Sequence, residues 1–174
     1  RAAAADVDGL AGADAFCKGL AQAVSPVLGG KTWRAYLGTE TVSPRSRIGA
    51  GPFYNAQGTM VAASLAILHD DGGKNMLSLA NTLDENGKEV PIAAGMNVHD
   101  ILTGATAAGA ASPNNCSNWT SNANDPAATV GHSNRAGGGA DPTSWNAAHA
   151  SRGCTSAAFA ATGGRGSIYC FAVP

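Results

Sequence analysis

GLAGADAFCKGLAQAV, residues 9–24, decides how this chain begins to fold. Leu10, Ala13, Phe16, Cys17, Leu20, Ala21 and Val24 recur at spacings of three and four, which predicts one amphipathic helix. Ser25-Pro26 and then Gly29-Gly30 end it. The apolar stripe carries Cys17, the first of four cysteines; the others are Cys116, Cys154 and Cys170. An even count, with no Cys-x-x-Cys pair and no His-x-x-x-His tract, argues against a structural zinc site and for two disulfides. Four cysteines allow three pairings. Disulfides persist in oxidising compartments, so a secreted, periplasmic or surface-exposed protein is expected.

Beyond the helix, Thr32–Leu37 alternates around Trp33 and predicts a strand. Val61–Leu68, rich in Ala and Leu, predicts a second, short helix. Leu77–Val90 carries Asn86-Gly87 between apolar stretches, a strong hairpin signal. Val98–Leu102 and Ile168–Val173 predict short strands, and Gly163-Gly164-Arg165-Gly166 reads as a turn before the last of them. Between about residues 104 and 166, Gly, Ala, Ser, Asn and Pro dominate and periodicity is lost. Such a stretch inside a compact domain is expected to carry function or to be held by cross-links.

At 174 residues a single domain over 9–174 is the default, preceded by a flexible segment 1–8. Opening at Arg1 and Ala2–Ala5, the chain reads as the trimmed product of a longer precursor. Charged residues make up 13% and the net charge is −1, so no concentrated basic surface is offered to nucleic acid or an anionic membrane. No apolar run approaches the roughly 20 residues that a membrane-spanning helix needs. Gly-x-Ser-x-Gly, P-loop and dinucleotide-binding motifs are absent, and no catalytic residue is assigned.

Several stretches together resemble the endostatin domain of collagens XV and XVIII. They are Gly12-Ala13-Asp14-Ala15-Phe16-Cys17, Trp33-Arg34-Ala35-Tyr36-Leu37, Cys116-Ser117-Asn118-Trp119-Thr120 and Ile168-Tyr169-Cys170-Phe171. The landmarks between them run in the same order, and the Ala/Gly-rich composition resembles that of bacterial secreted modules of this kind. The resemblance implies an α+β, C-type-lectin-like fold: two helices, a small mixed sheet and a long loop region stapled by a disulfide. It also implies the pairing Cys17–Cys170 and Cys116–Cys154. In the chain-entropy picture bridges of those spans contribute about 4–5 and about 3–4 kcal/mol. The arginine clusters by which endostatin domains engage heparan sulfate are not reproduced, since seven arginines are spread from Arg1 to Arg165. Their N-terminal zinc-binding histidines are missing too, as no histidine precedes His69.

The remaining polar residues of the loop region suggest a shallow site. His132, Asn134, Arg135, Trp145, His149 and Arg152 combine an aromatic platform with groups that hydrogen-bond hydroxyls. The competing reading is that these side chains satisfy irregular backbone. Trp33 and Trp119 are expected in the core, and Trp145 is the candidate for exposure. For metals, His99, Asp100, His132 and His149 offer imidazole and carboxylate donors suited to zinc, but no spacing ties them together. Asn122, Asn124 and Asp125 offer oxygen donors for calcium in a stretch that is also ordinary turn chemistry. The expectation is therefore no cofactor, with zinc or calcium as the lesser readings. The leading function is non-catalytic recognition of a glycan or protein ligand at the cell surface. The alternative is a structural domain of a surface layer, fibre or homo-oligomer.

Overall fold

The computed structural model describes residues 6–70, 74–90, 92–93 and 96–174. The chain is mixed α+β; the described residues include one long helix, four single-turn α-helices, a 3-10 turn at Pro44–Arg47 and short strands in several small sheets. Helix α1 spans Gly9–Val24, as its periodicity predicts. It buries Ala13, Cys17 and Ala21, small residues one turn apart that let the helix approach its neighbours closely. Ser25 stops it and caps the next turn, α2 (Pro26–Gly29), by accepting from the Val27 amide. Asp14 docks α1 onto strand β1 (Thr32–Ala35): its carboxylate accepts from the Ala35 amide at 2.9 Å and pairs with Arg34 and Arg47.

Strand β1 pairs antiparallel with the last strand, β10 (Cys170–Val173), with Ala35 opposite Cys170. The Cys17–Cys170 disulfide then joins α1 to that two-stranded sheet, and Cys116–Cys154 forms the second bridge. No cysteine among the described residues is free. Strands β2 (Phe53–Tyr54) and β3 (Met60–Ala62) form a hairpin, followed by the single turn α3 (Leu65–Leu68). The helix expected over Val61–Leu68 is thus confined to its second half. Val61 and Ala62 are drawn into strand pairing, and Ser64 starts the turn by capping Ile67. The Asn86-Gly87 reversal is present, with Asp84 accepting from the Asn86 and Lys88 amides, but only a Leu83–Glu89 bridge flanks it. Strands β4 (Ile92–Ala93) and β5 (Met96–Asn97) pair with each other.

The largest sheet has four strands in the order β8-β7-β6-β9. These are β6 (Asp100–Leu102), β7 (Thr129–His132), β8 (His149–Ala150) and β9 (Gly164–Ile168). Strand β9 runs parallel to β6, and the other pairs are antiparallel. Residues 164–166, expected as a turn, are strand because the edge of β6 takes them up. Three of the four strands lie within or border the 104–166 stretch whose periodicity is lost. That stretch also holds two single turns, α4 (Cys116–Trp119) and α5 (Ser156–Ala160). All four α4 residues have φ between 51° and 68°, left-handed backbone that costs non-glycine residues roughly 1–2 kcal/mol each. The Cys116 bridge, the Asn115 cap on Asn118 and burial of Trp119, whose indole donates to the Gly38 carbonyl at 2.7 Å, hold it there.

One core cluster surrounds both disulfides and Trp119. A second gathers Tyr36, Ile48, Phe53, Leu68 and Trp145. Residues 1–5 of the expected N-terminal segment lie outside the described residues. Val7, by contrast, donates to the Trp119 carbonyl and packs on the first cluster. Among the described residues, no helix is long and apolar enough to cross a membrane.

Candidate metal centre

Strand register brings the loop-region histidines to one place. Asp100 stands directly opposite His132 in the β6–β7 ladder, so their side chains share a face. His149 pairs with Val130, two residues before His132 and therefore on that same face. Alternation would send His99 to the other side, but it precedes the strand, and its ring stacks on His132 with centroids 4.0 Å apart. Gly164, opposite Asp100 on β9, leaves room beside the carboxylate, since a Cβ there would sit 3.0 Å from Asp100 Cβ.

The three Nε2 atoms converge on one carboxylate oxygen. Asp100 Oδ1 lies 3.4 Å from His99 Nε2, 3.4 Å from His132 Nε2 and 3.6 Å from His149 Nε2. Side-chain exposure is 6% for His99, 1% for Asp100, 0% for His132 and 19% for His149. Each Nδ1 meets an oxygen: Asn134 Oδ1 at 2.9 Å for His99, the Pro142 carbonyl at 2.8 Å for His132 and the Ala150 carbonyl at 3.0 Å for His149. Carbonyl oxygens only accept, so in the neutral rings Nδ1 carries the proton and the Nε2 lone pairs face Asp100. Both Asp100 oxygens and His132 Nε2 lack a hydrogen-bond partner among the described residues. Three buried acceptors, both Asp100 oxygens and His132 Nε2, thus lie together without a donor, an arrangement that is costly unless a cation fills it.

The dimensions suit a small tetrahedral ion. One donor atom each from His99, Asp100 and His132 lies within 4.8 Å of the others, with His149 outside that group, and donors about 2.0–2.1 Å from such an ion stand about 3.3–3.4 Å apart, close to the two distances of 3.4 Å from Asp100 Oδ1. Nδ1–H bonded to oxygen is the usual outer arrangement of metal-binding histidine. Imidazole nitrogens beside a carboxylate oxygen suit zinc and its transition-metal neighbours, whereas calcium and magnesium require oxygen ligands. The site also draws a proton. Burial disfavours the His132 imidazolium, but Asp100 and the carbonyls of Pro142 and Ala136 outweigh it and raise the pKa above its usual value.

The candidates from sequence separate cleanly in space. His132 and His149 join the cluster and Asn134 supports it. Arg135 turns away, donating to Asn75 Oδ1 at 2.7 Å. Trp145 is fully buried against Tyr36, His69 and Tyr169, so the exposed platform expected there is a core residue instead. The physical reason is that these scattered aromatics assemble into one cluster from distant parts of the chain. Arg152 is exposed on the segment after β8. Asn122, Asn124 and Asp125 are exposed, and Asn124 Oδ1 accepts from the Thr155 hydroxyl. Gly137 and Gly139, which contact the imidazoles, were missed. Only the run of three glycines in the histidine-bearing stretch pointed to them.

No family model matches the chain, and no curated protein matches it significantly.

Proposed function

We propose that this chain is a secreted or surface-exposed, C-type-lectin-like recognition module, non-catalytic, whose loop region is organised by a zinc-class metal ion. The observation that carries the metal assignment is the convergence of three imidazole Nε2 atoms on the buried, partnerless Asp100 Oδ1. His99, Asp100 and His132 form the compact ligand set, and His149 Nε2, 3.6 Å from Asp100 Oδ1, would complete it as the fourth ligand; a site closed by four protein ligands is structural rather than hydrolytic. It would join β6, β7 and β8 side to side, where hydrogen bonds alone connect very short strands. The two disulfides support the oxidising compartment. The ligand class is a glycan or a protein, met by the exposed surface of the loop region rather than by Trp145.

Metal analysis tests this reading. Purified protein incubated with Zn²⁺ and desalted should retain one ion per chain, and Asp100→Ala should retain none. Failure of the wild type to retain Zn²⁺ or Co²⁺ would overturn it.

A further inference from the structure

The loop joining β7 to β8 lies directly on the cluster, and its contacts go to the ligand rings themselves. Asn134 Oδ1 accepts from His99 Nδ1 and at 3.1 Å from the Ala136 amide, so one carboxamide fixes both a ligand and the start of the loop. Pro142, further along, supplies the carbonyl that orients His132. Between them Ala136–Ala140 is exposed on its outer side. Its inner side sits against the imidazoles. A Cβ on Gly137 would lie 2.5 Å from His99 Cε1 and 3.2 Å from His132 Cε1. One on Gly139 would lie 2.7 Å from His149 Cδ2. Both glycines have positive φ, 134° and 107°. Gly138, between them, faces open space. A single short segment therefore touches all three imidazoles, and glycine is required at the two positions that do so.

We infer that Asn134–Gly139 is the cover of the metal centre, with Asn134 the positioning residue for His99 and Gly137 and Gly139 the residues that let it seat. This rests on the metal reading above. The cover sets how tightly the ion is held and how fast it leaves. Replacing an outer partner of a metal-binding histidine typically weakens the metal about 10–100-fold.

The experiment uses the whole chain loaded with Zn²⁺ or Co²⁺ and a chelator in excess. Asn134→Ala should lower Zn²⁺ affinity about 10–100-fold and alter the Co²⁺ visible spectrum, because His99 is no longer held. Asn134→Asp, which keeps the acceptor, should restore both. Gly137→Ala should speed release about tenfold or more, by the same outer-partner scale. Gly138→Ala should release at the wild-type rate. Circular dichroism of the metal-free variants checks that each is folded. An Asn134→Ala variant with wild-type affinity and spectrum, or equal effects of Gly137→Ala and Gly138→Ala, would overturn the inference while leaving the metal centre standing. Absence of metal uptake by the wild type overturns both.

Discussion

His69 and His132 are both buried histidines, yet their surroundings are opposites. His69 Nε2 hydrogen-bonds the Tyr36 hydroxyl at 2.8 Å and its Nδ1 meets the Leu65 carbonyl at 2.9 Å. Asn146 donates to the same hydroxyl, and Trp145 closes over the ring. Burial lowers the His69 pKa, Leu65 opposes this and the Arg45 charge adds to it. His132 has one nitrogen satisfied and the other aimed at a carboxylate that is itself without a donor. The first ring has both nitrogens satisfied and holds a core together. The second is incomplete and asks for a cation. Burial alone does not distinguish them; the accounting of lone pairs and protons does.

The largest effect expected on that contrast is from Trp145→Ala. Deleting this fully buried ring beside His69 should cost about 3–5 kcal/mol in urea unfolding with chelator present, and leave Zn²⁺ stoichiometry intact in the folded fraction. A cost below about 1 kcal/mol would return Trp145 to the surface. Next, Zn²⁺ at about 100 times its dissociation constant should stabilise the wild type by about 2.7 kcal/mol, read as a rise in melting temperature. Asp100→Asn should abolish the rise; an Asp100→Asn protein stabilised as much as the wild type would separate the ion from this site. Third, Tyr36→Phe removes the partner of His69 Nε2 and of Asn146, for about 1–3 kcal/mol, with zinc affinity unchanged.

The smallest effect is the pH dependence, where the two histidines have opposite signs. In metal-free protein the raised His132 pKa adds stability that is present below the unfolded value of 6.5 and is lost as pH rises through the folded value. The depressed His69 pKa leaves stability intact above 6.5 and removes it as pH falls from there through the folded value. Ring resonances followed by NMR should show His132 titrating above 6.5 and His69 below. The reverse order would erase the distinction.

Helix α1 was readable because its signal is local: seven apolar residues on one face and a Ser-Pro stop. The short strands of the four-stranded sheet were not. Thr129-Val130-Gly131-His132 is too brief to show alternation, and Gly164-Arg165-Gly166 has turn composition. Both become strands because β6 lies between them, a fact of tertiary pairing. The same reason hid the candidate metal centre. Its candidate ligands could be named as a set, but three of them come from three strands and His99 from just before the first, and only the registers of β6 with β7 and of β7 with β8 make them neighbours. Trp145 was misread because a tryptophan flanked by Ser and Asn looks like a surface residue until Tyr36 and Tyr169 arrive beside it.

The Cys17–Cys170 bridge, with its partners 153 positions apart, also determines how the molecule carries load. A pull applied through residues before 17 and after 170 passes from α1 to β10 along covalent bonds. The chain enclosed by the bridge, with the imidazole cluster and its glycine cover, stays off that line of force. Single-molecule stretching between those outer residues should therefore release almost no length while the bridge is oxidised. A reducing agent would expose the whole enclosed chain to tension at once, so for this protein resistance to traction is set by the redox state of its surroundings.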